Sequence, residues 1–352
     1  MKGRKKPLLA ITLFFLLSMT NMSAQTDYSS KIWDAAPHNA FPDIRYYDGY
    51  FYIVFRESNM HVHKTAADDG KIRVLRSFDG KNWISIQLLE KPGFDLRDPM
   101  LEITSDNRLM LLMGGSVYDK TTLTGAHTHV SFLENGRFTG PVPVRYSADV
   151  DSSHNWLWSV TWNNGIGYGV VYQFEPNKPN KLMLVKTGNA VDYSLVANLE
   201  VAGRTSESKA VFVNDNEMIM VIRRDGDPKT GVFGKSRKPF TDWTFKEMDI
   251  QLGGPHLIRF SKDLWLLSTR SFTGENPLYT GIYLLNTNGE TKKLFQFPED
   301  GRAGDCSYPG MEIHNGNLYV CYYSSHDGKT NIYLATIPIK KIKKVLKDSR
   351  KE

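Results

Sequence analysis

The 352-residue chain reads as an all-β protein, a six-bladed β-propeller of four-stranded antiparallel blades. Three observations predict this: a strand–turn–strand unit recurs six times, its turns are evenly spaced, and no segment of helical period separates the copies. The composition fits. With 41% hydrophobic residues, 12% aromatics, 28 glycines and 16 prolines it describes a globular, turn-rich chain, away from collagen, coiled coil or polar low complexity.

Taken in order, residues 1–24 stand apart. Lys2, Arg4, Lys5 and Lys6 precede an apolar run over 8–17 and the small pair Ser23-Ala24, the pattern of a cleaved signal peptide. That run is too short to cross a bilayer, and no later segment approaches the about 20 residues that spanning requires. The expected mature protein is periplasmic or secreted, with residues 25–339 forming a single propeller and 340–352 a basic C-terminal tail.

The repeated hairpins are 40–58, 97–115, 156–174, 206–225, 253–271 and 307–326. Their turns, at Gly49, Asn107, Gly165, Asn216, Asp263 and Gly316, lie 47 to 58 residues apart, close to one four-stranded blade each. Segments 26–39 and 331–337 are expected to supply the strands that close the ring, because joining the ends protects the sheet edges. Between the first two hairpins, 71–89 gives a third and a fourth strand around Ser77-x-Asp79-Gly80-x-x-Trp83. There Asp79 accepts backbone N–H bonds while Trp83 packs between sheets. In the last hairpin, Cys321 is expected to face residue 310 and Cys306 residue 325. That offset of about 13 Å is beyond the reach of a disulfide, so two unpaired cysteines are expected.

The formal charge of +6 is carried by the ends: the leader holds four cations and the tail a net five, which leaves the body near −3. A body that grips nucleic acid is not supported, and the tail reads as a solvated end.

Chemistry is expected where the inner hairpins converge on one mouth. Aligning the repeats on Pro42, Pro99, Ser208, Pro255 and Pro309 puts Phe41, Asp98, Glu207, Gly254 and Tyr308 before the anchor, and Asp43, Met100, Lys209, His256 and Gly310 after it. The third repeat offers Trp156 and Trp158 instead, and Arg97 flanks Asp98. Second-strand ends add Arg56, Arg223, Arg224, Arg270, Tyr323 and His326. Ionisable residues at such positions are costly unless paired or wet, so they mark either interblade bridges or a funnel for an anionic sugar. In the funnel, guanidinium groups clamp a carboxylate while Trp156 or Trp158 stacks on a pyranose.

His61-x-His63 and His127-x-His129 each put two imidazoles on one side of an extended segment. No third ligand follows at motif spacing, so no metal is expected, and His61 reads as a hydrogen-bonding or acid/base group. No phosphate-cradling glycine loop is present, and no cofactor is expected.

The turn Ser77–Trp83, with its echo Thr241-Asp242-Trp243, resembles the Asp-box repeat of the sialidase-like six-bladed propellers. That resemblance implies a tyrosine nucleophile activated by a glutamate, an arginine cluster for the substrate carboxylate and an aspartate acid/base. Tyr308 is similar to the nucleophile, and Glu207 followed by Arg223-Arg224 to the glutamate–arginine hairpin. Ala40-Phe41-Pro42 stands where the family has its first arginine, and His256 where the third is expected.

The expected function is therefore an exo-glycosidase that removes a terminal acidic sugar from a glycan. Tyr308 and Glu207 form its nucleophile pair, Asp98 or His61 is the proton donor, and Arg56, Arg223, Arg224 and Arg270 orient the carboxylate. Arg97, Asp43, Trp158, His256 and His326 are further candidate contacts. The alternatives are a propeller lyase or other glycosidase acting on uronate-containing glycans, and a non-catalytic glycan-binding propeller.

Overall fold

In a computed structural model, residues 28–272, 278–297 and 305–348 are described. Residues 1–24, expected to be a signal peptide, and the last residues of the tail lie outside them. After β1 (Ser29–Trp33), the chain builds six sheets in sequence. The first blade is β2 (His38–Tyr47), β3 (Tyr50–Ser58), β4 (Lys71–Ser77) and β5 (Ile84–Leu89). The second is β6 (Asp95–Ile103), β7 (Leu109–Asp119) and the long β8 (Thr122–Glu134), which carries the short β9 (Arg137–Phe138) and β10 (Val142–Pro143) at its edge. In the third blade, β11 (Arg145–Tyr146) runs parallel to the outermost strand of β12 (Asn155–Asn163), β13 (Ile166–Gln173), β14 (Lys181–Thr187) and β15 (Asp192–Asn198).

The fourth blade is β16 (Thr205–Asn214), β17 (Glu217–Arg224), β18 (Thr230–Arg237) and β19 (Trp243–Gln251). The fifth is β20 (His256–Ser261), β21 (Leu264–Ser271), β22 (Tyr279–Asn286) and β23 (Thr291–Phe297). The sixth takes β24 (Ser307–His314), β25 (Asn317–Ser324) and β26 (Asn331–Pro338) from the end of the chain and β1 from the beginning, Ser29 pairing with Ala335. All six repeated hairpins are thus inner-strand pairs, and the ring closes through the segments expected to close it.

Each inner strand touches the inner strands of both neighbouring blades, with β24 returning to β2. Apolar clusters fill the spaces between adjacent blades, because alternate residues of every strand face one sheet or the next. Cys306 and Cys321 are both buried thiols, and Cys321 faces Gly310 as the hairpin register requires. Among the described residues no helix is long and apolar enough to cross a membrane.

The start of the expected solvated tail is instead a helix, α1 (Ile339–Asp348). Ile342 is fully buried against the sixth blade, with Ile339, Val345 and Leu346 beside it, while Lys340, Lys341, Lys343, Lys344 and Lys347 stay outside or at the edge.

A shared irregularity at the head of the inner strands builds the mouth. The ladder skips two residues between Ala40 and Asp43, Arg97 and Met100, Leu157 and Val160, Thr205 and Ser208, and Ser307 and Gly310. The residues so displaced include Phe41, Asp98, Trp158, Glu207 and Tyr308. In three of these blades the residue before the proline is left-handed: φ is 58° at Phe41, 46° at Asp98 and 44° at Tyr308. Such values are uncommon for side chains of this size, and the conformation is held by the packed ring around it.

Candidate active site

The displaced residues meet at the axis. Tyr308 Oη donates to Glu207 Oε1 at 2.8 Å, and Arg223 Nη1 donates at 2.6 Å both to Glu207 Oε2 and to Tyr308 Oη. Arg223 Nη2 pairs with Asp225 Oδ1 at 2.6 Å, and the Gly254 amide donates to Glu207 Oε2 at 3.0 Å. Gly254 has φ +56° and lies against the tyrosine: a Cβ there would stand 2.4 Å from Tyr308 Cδ1. Below the ring, Trp158 packs edge-on at 5.9 Å and the Arg270 guanidinium lies 4.7 Å from the ring centre.

These groups open into a cavity of about 320 Å³, whose lining includes Phe41, His61, Arg97, Asp98, Trp156, Tyr172, Phe174, Arg204, Glu207, Arg223, Asp225 and Tyr308. That volume is at the small end for ligand pockets and suits a single sugar ring.

Electrostatics separate the roles of the two carboxyls. Burial, opposed by Arg97 and reinforced by the charge of Glu207, pushes Asp98 up to about 6, so it holds a proton at mildly acidic pH. The Tyr308 phenol is raised by burial and by Glu207, against the pull of Arg223 and Arg270. Its proton leaves only with a base in place, and Glu207 is at hydrogen-bond distance. Burial opposes the charge on Arg223, yet Glu207, Tyr308 and Asp225 together hold it firmly protonated.

One wall is braced by Asp305. Its carboxylate accepts from His61 Nδ1 at 3.0 Å, His38 Nε2 at 2.7 Å and Tyr323 Oη at 2.7 Å, while Arg270 Nη2 donates to Tyr323 Oη at 3.0 Å. Burial works against the Asp305 charge, but the two histidines outweigh it and keep its pKa well below the usual carboxylate range. His61 is thereby fixed through Nδ1, with its ring on the cavity.

Of the residues singled out from sequence, Tyr308, Glu207, Asp98, His61, Arg97 and Arg223 line the cavity. Trp158 and Arg270, expected to stack on the sugar and to orient its carboxylate, do not line the cavity and instead pack against the Tyr308 ring. Five others are corrected. Arg56 is fully buried and donates Nε and Nη2 to Asp95 Oδ1 at 2.9 and 2.7 Å, a bridge between blades. Arg224 points the opposite way from Arg223, onto Thr230 and Glu247, because neighbouring strand residues face opposite sides. Asp43 and His256, two places beyond the mouth residues, lie outside the cavity lining, buried and 3.5 Å apart. His326 bonds Ser324 and packs on Tyr333 away from the cavity. The His61-x-His63 pair also divides, since His63 is buried, stacks on Tyr118 and pairs with Asp69.

Sequence reasoning missed Tyr172, Phe174, Arg204, Asp225 and Asp305. Tyr172, Phe174 and Asp225 sit at or just past second-strand ends, and applying that rule to the third blade would have found the first two.

No protein-family model matches the chain, and no curated protein does. Solved structures match across the propeller. A Dyadobacter fermentans protein of unknown function superposes with a TM-score of 0.77 at 17% identity, over 89% of this chain and 98% of that one. The Trypanosoma rangeli sialidase in complex with sialic acid gives 0.64 at 11% identity, over 93% of this chain; the match spans only 59% of the sialidase. An α-L-arabinofuranosidase from Fusarium graminearum, bound to an iminosugar inhibitor, gives 0.64 at 14% identity, over 89% and 98%. At such identities the likeness is one of fold.

Proposed function

We propose that this chain is an exported glycoside hydrolase that removes one terminal sugar at the propeller mouth, with Tyr308 as nucleophile. The observation that carries the reading is the triangle of Tyr308 Oη, Glu207 and Arg223, closed by hydrogen bonds of 2.6 to 2.8 Å in the cavity that Asp98 also lines. That structural neighbours include a sialidase and an arabinofuranosidase supports it at the level of reaction class.

In the first step Tyr308 Oη attacks the anomeric carbon as its proton passes to Glu207, and Asp98 protonates the departing glycosidic oxygen. Asp98, now a carboxylate, takes a proton from water as that water attacks the same carbon, and Tyr308 leaves, recovering its proton from Glu207. Arg223 stays bonded to both partners and offsets the charge that shuttles between them.

The nature of the terminal sugar divides the reading in two. An acidic sugar follows from the resemblance to sialidases. A neutral one is favoured by the correction of Arg56 and Arg224 and by the engagement of Arg223 with Glu207 and Asp225.

The test is hydrolysis of 4-methylumbelliferyl glycosides of N-acetylneuraminic acid, glucuronic acid and L-arabinofuranose. The Tyr308→Phe variant should lose at least about 10³-fold in kcat/KM while keeping its Tm. Full activity in that variant removes the mechanism. An unsaturated uronic acid formed from a uronate oligosaccharide that carries no coumarin marks a lyase, and binding without turnover marks a glycan-binding protein. Export is checked by mass spectrometry of the mature N-terminus.

A further inference from the structure

The cations that a substrate anion would meet in the cavity are mostly engaged already. Arg97 bonds Asp95 and lies over the Phe41 ring, and Arg223 is held by Glu207 and Asp225. Arg204 differs: it is exposed, lines the cavity, and among the described residues its guanidinium has neither an ion-pair nor a hydrogen-bond partner. It also lines a second hollow of about 540 Å³, formed by the 174–180 loop of the third blade and by Gly203-Arg204 ahead of the fourth. Phe174, Asn180 and Arg204 belong to both hollows, so the outer hollow is a groove that adjoins the Tyr308 cavity along a shared wall between those blades.

The shared wall suits a sugar. Phe174 is half-buried, braced by Tyr172 at 5.5 Å and Trp156 at 6.3 Å between ring centres. Asn180 donates Nδ2 to Thr205 O at 2.8 Å, which leaves its own oxygen as an acceptor. The other charges of the outer hollow, Lys178 and Glu175, are paired with each other. An apolar ring face, an amide and one unpaired guanidinium are the elements that recognise a sugar bearing an anion.

We propose that this groove is a second subsite, which takes the leaving-group side of a glycan, and that the residue bound there carries a carboxylate or sulfate held by Arg204. The substrate is then an oligosaccharide of at least two residues whose negative charge lies beyond the terminal sugar. The inference rests on the glycosidase reading only for where the scissile bond sits.

The test measures binding in the full chain carrying Tyr308→Phe, so that turnover does not enter. Calorimetric titration uses trigalacturonate for the carboxylate, a chondroitin sulfate tetrasaccharide for the sulfate, arabinotriose as the neutral probe and free galacturonic acid as the acidic monosaccharide. At least one anionic oligosaccharide should bind more tightly than arabinotriose, more weakly as salt is raised, and about tenfold more weakly after Arg204→Ala, with partial recovery in Arg204→Lys. The Tm should not move, because Arg204 is exposed. Equal binding of neutral and anionic probes, no binding of any probe, or indifference to Arg204→Ala overturns the proposal. So does a monosaccharide that binds as tightly as its trimer and loses as much in Arg204→Ala, since that places the anion in the inner cavity. Should the wild-type chain hydrolyse nothing, the proposed function fails while these binding results stand.

Discussion

A single backbone choice separates residues that face the cavity from those that do not. Arg223 and Arg224 are neighbours, yet one bridges Glu207 and Tyr308 and the other braces the outer strands of its blade. Gly254 shows how tight the site is. Gly254→Ala would drive a methyl group into the Tyr308 ring at a position with φ +56°. We expect it to lower kcat/KM by at least about 10²-fold with a much smaller change in Tm, measured on the best substrate of the glycoside panel. Asp98 sets the pH response. With its pKa near 6, the acid form is lost as pH rises through that value, so kcat/KM should fall on the alkaline side of about pH 6. Asp98→Asn should abolish this limb along with most of the activity toward substrates with poor leaving groups. An unchanged pH profile in that variant would overturn the assignment of the limb to Asp98.

Elements carry their own tests. The hairpins were legible because each pairs two strongly alternating strands around an Asn, Asp or Gly turn. In the Ser77–Trp83 turn, Asp79 Oδ1 accepts the amides of Lys81 and Asn82 as expected, and this pulls its pKa below the ordinary carboxylate range. The third blade repeats that geometry with Thr187 and Asn189, whose side-chain oxygens accept the amides of Ala190, Val191 and Asp192. Asn in place of Asp hid it from a search for the acidic motif. Helix α1 was obscured by its lysines, which dominate the local composition while every third or fourth position is apolar. Because Ile342 is fully buried, Ile342→Ala should cost about 2–4 kcal/mol of unfolding free energy in a urea titration. A loose tail would give no change.

At the scale of the molecule, the ring depends on β1, which joins the two ends of the chain through β26. Deleting the residues up to 34 exposes the β26 edge, and we expect the Tm to fall by about 10 °C or more, with a gain in aggregation. A buried carboxyl near the ring axis should make stability depend on pH. Asp43 is buried and raised to about 6, burial outweighing Arg45, so the folded state holds this proton more tightly than the unfolded chain, where the value is near 3.8. Its contribution is complete below about pH 4 and is lost as pH rises through 6, and Asp43→Asn should flatten that part of the stability profile.

By itself the sequence determined the propeller, the six hairpins, the strand exchange that closes the ring, and the row Phe41, Asp98, Glu207, Gly254, Tyr308 at its mouth. These follow from alternation, turn chemistry and repeat spacing, which are local and recur along the chain. Only the tertiary structure decided which charges remain open to a ligand. Arg56 is spent on Asp95 from the next blade, Asp305 gathers two histidines and a tyrosine from the first and sixth blades, and Arg204 is left without a side-chain partner among the described residues. The pairing of a charge depends on what the ring brings beside it from distant segments, and no spacing within one repeat records that.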